Sequence, residues 1–370
     1  VSVTGSVGKT STKEMLALAL GKLGKTAATQ GNLNNHWGLP LSLARLPRDA
    51  KFGVFEIGMN HPGEITPLSR ILKPDAAIVT TVESVHLEYF ESEEAIADAK
   101  AEIFTGMGAD GAAVLNRDNR HFDRLHGKAS SAGLHRICSF GTARDADVRL
   151  VSLSPDDQGS DIAASVDDRI FVYRLGAPGK HLATNSLAVL GAIHMLGADF
   201  QKGLGALAGF HAMKGRGERR TIRVGNGSFT LIDESYNASP ASMRAAIDVL
   251  GAARRGSIGR TIAVLGDMLE LGAGADAAHA ALAADIARNS VDIVVTAGPR
   301  MAMLAKALPK AIEAHHGADS DAIRRVVLDL VRPGDVIMVK GSYGSRMIPI
   351  AEALSGLDRE RPDNAAAGRG

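Results

Sequence analysis

Short apolar runs alternate with amphipathic stretches along nearly the whole chain. In the first half, buried strands are predicted at the apolar runs 1–4, 52–57, 76–82 and 112–115. Helices are predicted from the amphipathic spacing at residues 9–23, 93–107 and 183–196. Because strands that alternate with helices are typical of βαβ units, we predict an α/β fold with a mainly parallel sheet.

Residues 148–174 follow a different pattern. Short apolar and polar alternation is interrupted by the turn residues Pro155 and Asp156 and then by Asp167 and Asp168. This spacing predicts a β-meander appended to the α/β core.

A second α/β series begins near Arg216. Its strands are predicted at 229–233, 261–266, 292–296 and 336–339, and its helices at 240–250, 275–289, 320–331 and 345–354. Since the segment 214–217 is rich in glycine, we predict a first domain at residues 1–214 and a Rossmann-like domain at 215–357. Residues 358–370 have the composition of a disordered tail.

Composition narrows the class of protein. Lys and Arg number 42 and Asp and Glu 41, so the charge balance gives no sign of a nucleic-acid or membrane surface. Cys138 is the single cysteine, which excludes an intrachain disulfide and fits a cytoplasmic protein. No apolar run approaches a membrane span, and no signal peptide is recognised. The chain opens directly into a strand, and we expect further sequence upstream.

A glycine-containing loop lies between the first predicted strand and helix. The loop satisfies the short phosphate-binding pattern with Gly5, Ser6, Val7, Gly8, Lys9 and Thr10. Its N–H groups would bind phosphate oxygens, Lys9 would neutralise the β- and γ-phosphates, and Thr10 would offer a hydroxyl to Mg²⁺. Val3 stands where the general pattern has glycine, and an ordinary helix-capping turn is the alternative. The order of strand, Gly-Lys-Thr and helix favours nucleotide binding.

Two further candidates follow strands at the same edge of the predicted sheet, where α/β folds bind ligands. Glu56 ends an apolar strand and would bind Mg²⁺ beside Thr10, or else simply face water. His86 follows the strand predicted at 76–82, although a histidine in a loop is by itself usually a surface residue.

Lys100 lies on the apolar face of the helix predicted at 93–107, four residues after Ile96. An amine at such a position must reach solvent at the rim or find a partner. Spacing alone favours the first interpretation, and an active-site lysine is the alternative.

The loop 31–38 is dense in side-chain amides and holds the single tryptophan, Trp37. The side chains that suit hydrogen bonding to a polar substrate are Asn32, Asn34, Asn35 and His36. The same residues suit a plain turn equally well.

The second half places polar residues after three predicted strands. They are Glu234, Tyr236 and Asn237 after the first strand, then the segments 265–272 and 340–342. The acids after the first strand would bind ribose hydroxyls or cap the next helix, for which Asn237 or Ser239 is better suited. Together these sites predict a second ligand surface.

Taken in order, these segments resemble the Mur ligase family over residues 1–354. The resemblance rests on TGSVGKTSTKEML, GNLNNHWGLPLSL, FEIGMNHPGEI, VESVHLEYF, AKAEIF, TNSLAVLGA, GRGE, LIDESYNASPASM, LGDMLELG and VKGS. The number and order of these stretches are highly specific. Members of the family also carry an N-terminal domain that binds the UDP part of the substrate. The resemblance therefore implies that the first domain here is a P-loop-type central ATPase domain, clipped at its N-terminus.

The resemblance implies roles for individual residues. The catalytic residues would be Lys9, His86, Lys100 and Arg216. The ATP site would consist of Gly5, Ser6, Val7, Gly8, Lys9, Thr10, Ser11, Asn185, Arg216 and Glu234, with Asn185 at the adenine and Glu234 at the ribose. The substrate site would consist of Asn32, Asn34, Asn35, His36, Tyr236 and Asn237. Thr10 and Glu56 would hold the Mg²⁺ bound with ATP. His86 and a Lys100 carbamylated by CO₂ would hold a second Mg²⁺.

The implied reaction is the ATP-dependent addition of D-alanyl-D-alanine to UDP-N-acetylmuramoyl-tripeptide through an acyl phosphate, in peptidoglycan precursor synthesis. The implied protein is a cytoplasmic monomer. Three other interpretations stay open: a folylpolyglutamate synthase-like ligase of the same fold, a nucleotide-binding fragment without ligase activity, and a P-loop phosphotransferase.

Overall fold

The computed structural model of the protein describes residues 1–84, 88–156, 158–254 and 259–359. The chain divides into two compact units, Val1–His211 and Ala212–Gly370, and each is described by itself. The predicted tail at 358–370 lies almost entirely outside the described residues, as does His86.

The first unit is built on a nine-stranded sheet. Its strands are β1 (Ser2–Thr4), β2 (Thr26–Ala28), β3 (Phe52–Glu56), β4 (Ala76–Val79), β5 (Ala112–Asn116), β6 (Arg136–Gly141), β7 (Val148–Pro155), β8 (Ser160–Val166) and β9 (Arg169–Leu175). They lie in the order β2-β3-β1-β4-β5-β6-β7-β8-β9. Pairing is parallel from β2 to β7 and antiparallel from β7 to β9.

Helices cover this sheet. They are α1 (Lys9–Gly21), α2 (Gly38–Ala44), α3 (Ile65–Leu72), α4 (Glu93–Ala101), α5 (Phe122–Ser131), α6 (Lys180–Met195) and α7 (Phe200–Ala206). Helix α6 is the most deeply buried of these: apolar residues occupy nearly all its faces, and it packs on α1 and on strands β4 to β7. A separate apolar cluster joins the sheet to α3 and α4.

The second unit has a six-stranded sheet in the order β10-β11-β15-β12-β13-β14. Its strands are β10 (Glu218–Val224), β11 (Gly227–Glu234), β12 (Thr261–Gly266), β13 (Ile293–Ala297), β14 (Glu313–Gly317) and β15 (Val336–Lys340). Its helices are α8 (Pro240–Arg254), α9 (Ala275–Arg288), α10 (Met301–Ala307), α11 (Ser320–Leu330) and α12 (Ile348–Gly356). Only the edge strand β10 runs antiparallel to its neighbour among the described pairs. Two apolar clusters fill the two faces of the sheet, so the unit is doubly wound.

The predicted fold class is confirmed in both units. The predicted meander is β7 to β9, and it continues the parallel sheet directly because β7 pairs with β6. Several predicted bounds were wrong, two of them in the elements expected to precede His86 and to carry Lys100. The strand expected at 76–82 ends at Val79, and the α-helix expected at 93–107 ends at Ala101 and continues as a 3₁₀ turn, Glu102–Gly106. Within the described ranges, no helix is both long enough and apolar enough to cross a membrane.

Candidate active site

The loop between β1 and α1 requires glycine at two positions. Gly5 has φ +145°, and a Cβ added there would lie 2.0 Å from Oγ1 of Thr80. Gly8, the residue before α1, has φ +89°. Both conformations are ones that side-chain-bearing residues rarely adopt. The loop therefore makes a tight turn directly at the N-terminus of α1, as a phosphate-binding loop does.

Residues that follow β4 hold this loop in place. The backbone N–H of Ser6 donates to the carbonyl of Thr81 at 2.8 Å, and the Ser6 hydroxyl accepts from the N–H of Glu83 at 2.9 Å. Thr80 donates through its hydroxyl to the carbonyl of Val7 at 2.6 Å. The shape of the loop is thus fixed by its neighbours before any nucleotide binds.

Lys9 folds back over the loop that precedes it. Its Nζ donates to the carbonyl oxygens of Gly5 at 2.7 Å and Ser6 at 3.5 Å. The ammonium group is therefore held at the turn where the phosphates of a nucleotide would bind.

Glu56 lies at the carboxyl end of β3, opposite Val3 of the neighbouring strand β1. Its side chain is 2% exposed, so the interpretation that it faces water was wrong. Oε1 accepts a hydrogen bond of 2.8 Å from the amide of Asn34. Oε2 is buried and has no hydrogen-bond partner among the residues that the structure describes. A buried carboxylate oxygen without a hydrogen bond destabilises the fold unless a bound ligand, such as a cation, interacts with it.

The residues present fit a magnesium ion. Thr10, in the first turn of α1, and Glu56 both lie at the edge of the sheet where the phosphate loop begins. The described part of the chain contains no cluster of three His, Cys, Asp or Glu side chains that could hold a metal ion alone. Mg²⁺ usually binds through one or two protein groups together with substrate phosphates and water.

Lys100 is buried in the last turn of α4, with 2% of its surface exposed. The interpretation favoured by spacing, an amine that reaches solvent at the rim, was therefore wrong. Burial, and after it the positive charge of Lys9, lowers the pKa of the Lys100 amine well below its usual value. The structure thus brings Lys100 into the electrostatic neighbourhood of the phosphate loop. A neutral amine of this kind can react with an electrophile such as CO₂.

Two amides of loop 31–38 make different contacts. Asn35 accepts through Oδ1 from the N–H groups of Trp37 (3.1 Å) and Gly38 (2.9 Å), as in an Asx turn before α2. Asn34 instead donates to Glu56. His36 is exposed and its ring packs against Trp37 at 5.5 Å.

Asn185 lies beside the phosphate loop. It belongs to α6 and is 8% exposed, and its amide atoms are 2.8 Å from the position of a Cβ added to Gly8. The sequence separation of the two residues is large, and the packing of α6 on α1 brings them together. His86, predicted for the same region, is outside the described residues.

In the second unit, the residues predicted after β11 form one cluster. Nζ of Lys340, at the end of β15, donates to Oε2 of Glu234 at 3.1 Å and to the carbonyl of Asn237 at 2.9 Å. The guanidinium carbon of Arg216 lies 4.1 Å from the centre of the Tyr236 ring, a cation–π distance. Four of the predicted residues thus lie close together within this unit.

Other polar groups of the second unit are structural. Asp267 accepts from the N–H of Met301 at 2.8 Å, which caps the start of α10. Ser239 accepts from the N–H of Ser242 at 3.3 Å and so caps α8, as one of the two predicted alternatives had it.

Sequence reasoning missed two charged residues of the first unit. Lys13 is completely buried in α1, and its spacing of three and seven residues from the buried Leu16 and Leu20 was the signal that could have found it. Glu102 accepts hydrogen bonds from the N–H groups of Gly63, Ile65 and Thr66 and so caps the start of α3. No local pattern could have shown this, since Glu102 is 36 to 39 residues from these donors along the chain.

A phosphate loop at the carboxyl edge of a parallel sheet, with a buried carboxylate and a buried lysine in its neighbourhood, defines the class of this protein. It is a P-loop-type nucleotide-binding protein whose site is equipped for phosphoryl transfer.

Comparison with known proteins gives the family. Residues 3–193 match the model of the Mur ligase middle domain, and residues 215–343 match that of the Mur ligase glutamate ligase domain. The UDP-N-acetylmuramoyl-tripeptide–D-alanyl-D-alanine ligase of Rickettsia prowazekii (strain Madrid E) is 31% identical over 352 residues, which cover 95% of this chain and 77% of the relative. The chain belongs to the Mur ligase family, whose members are ATP-dependent amide ligases.

Solved structures agree with this assignment. A crystal structure of MurF from Acinetobacter baumannii superposes with a TM-score of 0.85 at 29% identity, over 96% of this chain and 76% of that one. MurF from Thermotoga maritima, solved in complex with ADP, gives a TM-score of 0.82 at 28% identity, over 98% of this chain and 80% of that one.

Proposed function

We propose that this chain catalyses the ATP-dependent addition of D-alanyl-D-alanine to UDP-N-acetylmuramoyl-tripeptide, a step in peptidoglycan precursor synthesis. The names of its relatives and of the solved neighbours support this substrate pair. The observation that carries the chemistry is the phosphate loop with the incompletely bonded carboxylate of Glu56 at its edge. We place the reaction in the cytoplasm, where ATP is supplied, and propose that the enzyme acts as a monomer.

The proposed reaction has two steps. An oxygen of the tripeptide carboxylate attacks the γ-phosphorus of ATP. The bond between the γ-phosphorus and the bridging oxygen of the β-phosphate breaks, so that ADP departs and an acyl phosphate is formed. The amine of D-alanyl-D-alanine then attacks the acyl carbon, loses a proton, and inorganic phosphate leaves as the amide forms. The protein does little covalent chemistry in such a transfer and contributes mainly positioning and charge.

Residues of this chain would supply that charge. Lys9, held over the loop, neutralises the terminal phosphates, and Arg216 would stabilise the phosphoryl group in transfer. Thr10 and Glu56 would hold one Mg²⁺. When bound, the ion would act as a Lewis acid that neutralises negative charge on the phosphates. His86 and a carbamylated Lys100 would hold a second.

The remaining assignments concern binding. Asn185, beside Gly8, would contact the adenine, and Glu234 would bind the ribose hydroxyls. The peptide substrates would contact two groups of residues: Asn32, Asn34, Asn35 and His36 in the first unit, and Tyr236 and Asn237 in the second. In this scheme residues 1–214 are the ATP-binding domain and residues 215–357 the ligase domain.

The three other interpretations are less well supported. The relative named above is a UDP-N-acetylmuramoyl-tripeptide–D-alanyl-D-alanine ligase and the two solved structures are MurF proteins, which does not favour a folylpolyglutamate synthase-like enzyme. A purely regulatory nucleotide-binding fragment would not need the buried Lys100 with its lowered pKa. A phosphotransferase would form a stable phosphoester rather than an amide.

Release of ADP with different acceptor amines tests the proposal. With ATP, Mg²⁺ and the UDP-tripeptide present, we expect ADP release to depend on D-alanyl-D-alanine and not on L-glutamate, with a product heavier by one dipeptide residue. Lys9→Ala should abolish the reaction, whereas Lys128→Ala, on the exposed side of α5, should not. Release of ADP only with L-glutamate would support the folylpolyglutamate-type alternative.

A further inference from the structure

Lys13 is a fully buried lysine to which the reaction described so far gives no role. Its exposed fraction is 0%, although it belongs to the helix α1 that begins at the phosphate loop. Nζ donates to the carbonyl oxygen of Thr29 at 2.6 Å and lies 2.6 Å from Oε1 of Glu14. Since an ammonium group inside a protein is costly even when paired, its presence calls for a reason other than stability.

Thr29 connects this amine to the carboxyl end of β3. It is 2% exposed and follows β2 directly. Its hydroxyl accepts a hydrogen bond from the backbone N–H of Glu56 at 3.2 Å, and its own N–H donates to the carbonyl of Val54 at 2.9 Å. One threonine is therefore bonded to both the lysine of α1 and the strand that carries Glu56.

The other end of the connection is Thr10. It lies three residues before Lys13 on α1, so the two are neighbours on the helix surface. From Lys13 a hydrogen bond runs to the carbonyl of Thr29, whose hydroxyl accepts from the backbone N–H of Glu56. The helix that carries Thr10 is thus connected through one buried amine to the strand that carries Glu56.

We propose that Lys13 is a positioning residue that acts through Thr29 and holds Thr10 and Glu56 at a fixed separation before magnesium and nucleotide bind. The inference rests on the proposed function, because it takes Thr10 and Glu56 as the metal-binding pair. Removing the amine leaves both ligands in the chain but frees the end of β3 to move relative to α1. Removing the amine should therefore weaken the binding of the metal ion and leave the affinity for the nucleotide nearly unchanged.

Metal binding to the folded protein tests this directly. Free Mn²⁺, used as the probe, is measured by electron paramagnetic resonance in the presence of saturating ADP, and ADP binding without metal is measured by calorimetry. Lys13→Met and Thr29→Val should weaken Mn²⁺ binding by about ten- to a hundredfold, as loss of an outer-sphere contact commonly does. Their affinity for ADP without metal should change by less than about threefold, and Thr29→Ser, which keeps the hydroxyl, should bind Mn²⁺ as the parent does.

Matched variants separate the possible outcomes. Lys22→Met makes the same chemical change at the exposed end of α1 and should leave Mn²⁺ binding unaltered. Should Lys13→Met fail to fold, Thr29→Val decides, because it removes the hydroxyl that bonds to the backbone of Glu56 and so breaks the path from Lys13 to Glu56, while the carbonyl that accepts from Lys13 stays in place. Parent-like Mn²⁺ affinity in folded Lys13→Met or Thr29→Val would overturn the positioning role. If Glu56→Gln also binds Mn²⁺ as the parent does, the metal-binding part of the proposed function fails instead, and the inference falls with it.

Discussion

The side-chain amide of Asn34 donates a 2.8 Å hydrogen bond to Oε1 of Glu56, while Oε2 of the same carboxylate lacks a partner among the described residues. The carbonyl of Asn34 also accepts from the N–H of Gly58, two residues beyond Glu56. The polar loop 31–38 is therefore bonded to the proposed magnesium ligand. Orientation of the carboxylate and shape of this loop depend on each other.

Asn34→Ala should raise the Mg²⁺ concentration needed for half-maximal activity by about tenfold, because Glu56 loses the contact that fixes its orientation. Titration of Mg²⁺ at saturating ATP measures this. Asn35→Ala is the matched control. It removes the Asx-turn hydrogen bonds before α2, which should lower stability by about 1 kcal/mol, and it should leave the Mg²⁺ requirement unchanged. Equal Mg²⁺ requirements for Asn34→Ala and the parent would contradict the account.

Lys100 should carry a carbamate when CO₂ is present. Its lowered pKa, caused first by burial and then by Lys9, leaves the amine neutral at a lower pH than an exposed lysine requires. Carbon-13 nuclear magnetic resonance of the protein under labelled bicarbonate should show one carbamate signal. Lys100→Arg should lose that signal and Lys128→Arg should keep it. A signal that persists in Lys100→Arg would place the carbamate elsewhere.

The lowered pKa of Lys100 also predicts how the stability of the protein, stripped of CO₂ and metal, depends on pH. The folded-state pKa of Lys100 is depressed, so the unfolded chain binds the extra proton between that pKa and about 10.4. Stability should therefore rise with pH across this window. Lys100→Met removes the contribution and should unfold at a higher temperature than the parent near neutral pH, with the difference shrinking towards alkaline pH. A difference that does not vary with pH would contradict the assignment.

Gly5→Ala should abolish nucleotide binding. Its Cβ would lie 2.0 Å from Oγ1 of Thr80, and its φ of +145° adds strain of about 1–3 kcal/mol. Gly21→Ala is a matched control at the end of α1, where an added Cβ meets nothing within 4 Å. Calorimetric titration with ADP should show binding for Gly21→Ala and none for Gly5→Ala. Parent-like affinity in Gly5→Ala would exclude this loop as the phosphate site.

Much of the fold could be predicted because buried parallel strands consist of consecutive apolar residues, which are visible in the sequence. The strand β12, for example, is buried at every position, and its predicted bounds 261–266 are the observed ones. Edge strands gave no such signal. The strand β14 consists of Glu313, Ala314, His315, His316 and Gly317, and pairing with β13 rather than local pattern makes it a strand.

The candidate site shows a similar limit. The phosphate loop could be predicted because its residues are contiguous and each has a defined use. The contacts of Asn34 and Lys13 could not, because their partners are 22 and 16 residues away. The parallel pairing of β2 with β3 brings the first pair together, and the packing of α1 on β2 the second. Spacing placed Lys100 on an apolar face but did not show that this face is fully covered.

The central claim is that the tripeptide carboxylate takes the γ-phosphoryl group of ATP before the amide forms. It is tested most directly with UDP-tripeptide labelled with oxygen-18 in its terminal carboxylate, together with unlabelled ATP and D-alanyl-D-alanine. If an acyl phosphate forms, one labelled oxygen passes from the carboxylate to each inorganic phosphate released, and mass spectrometry of the phosphate will show it. Phosphate without oxygen-18, formed while the labelled substrate is converted to the amide, would contradict the account.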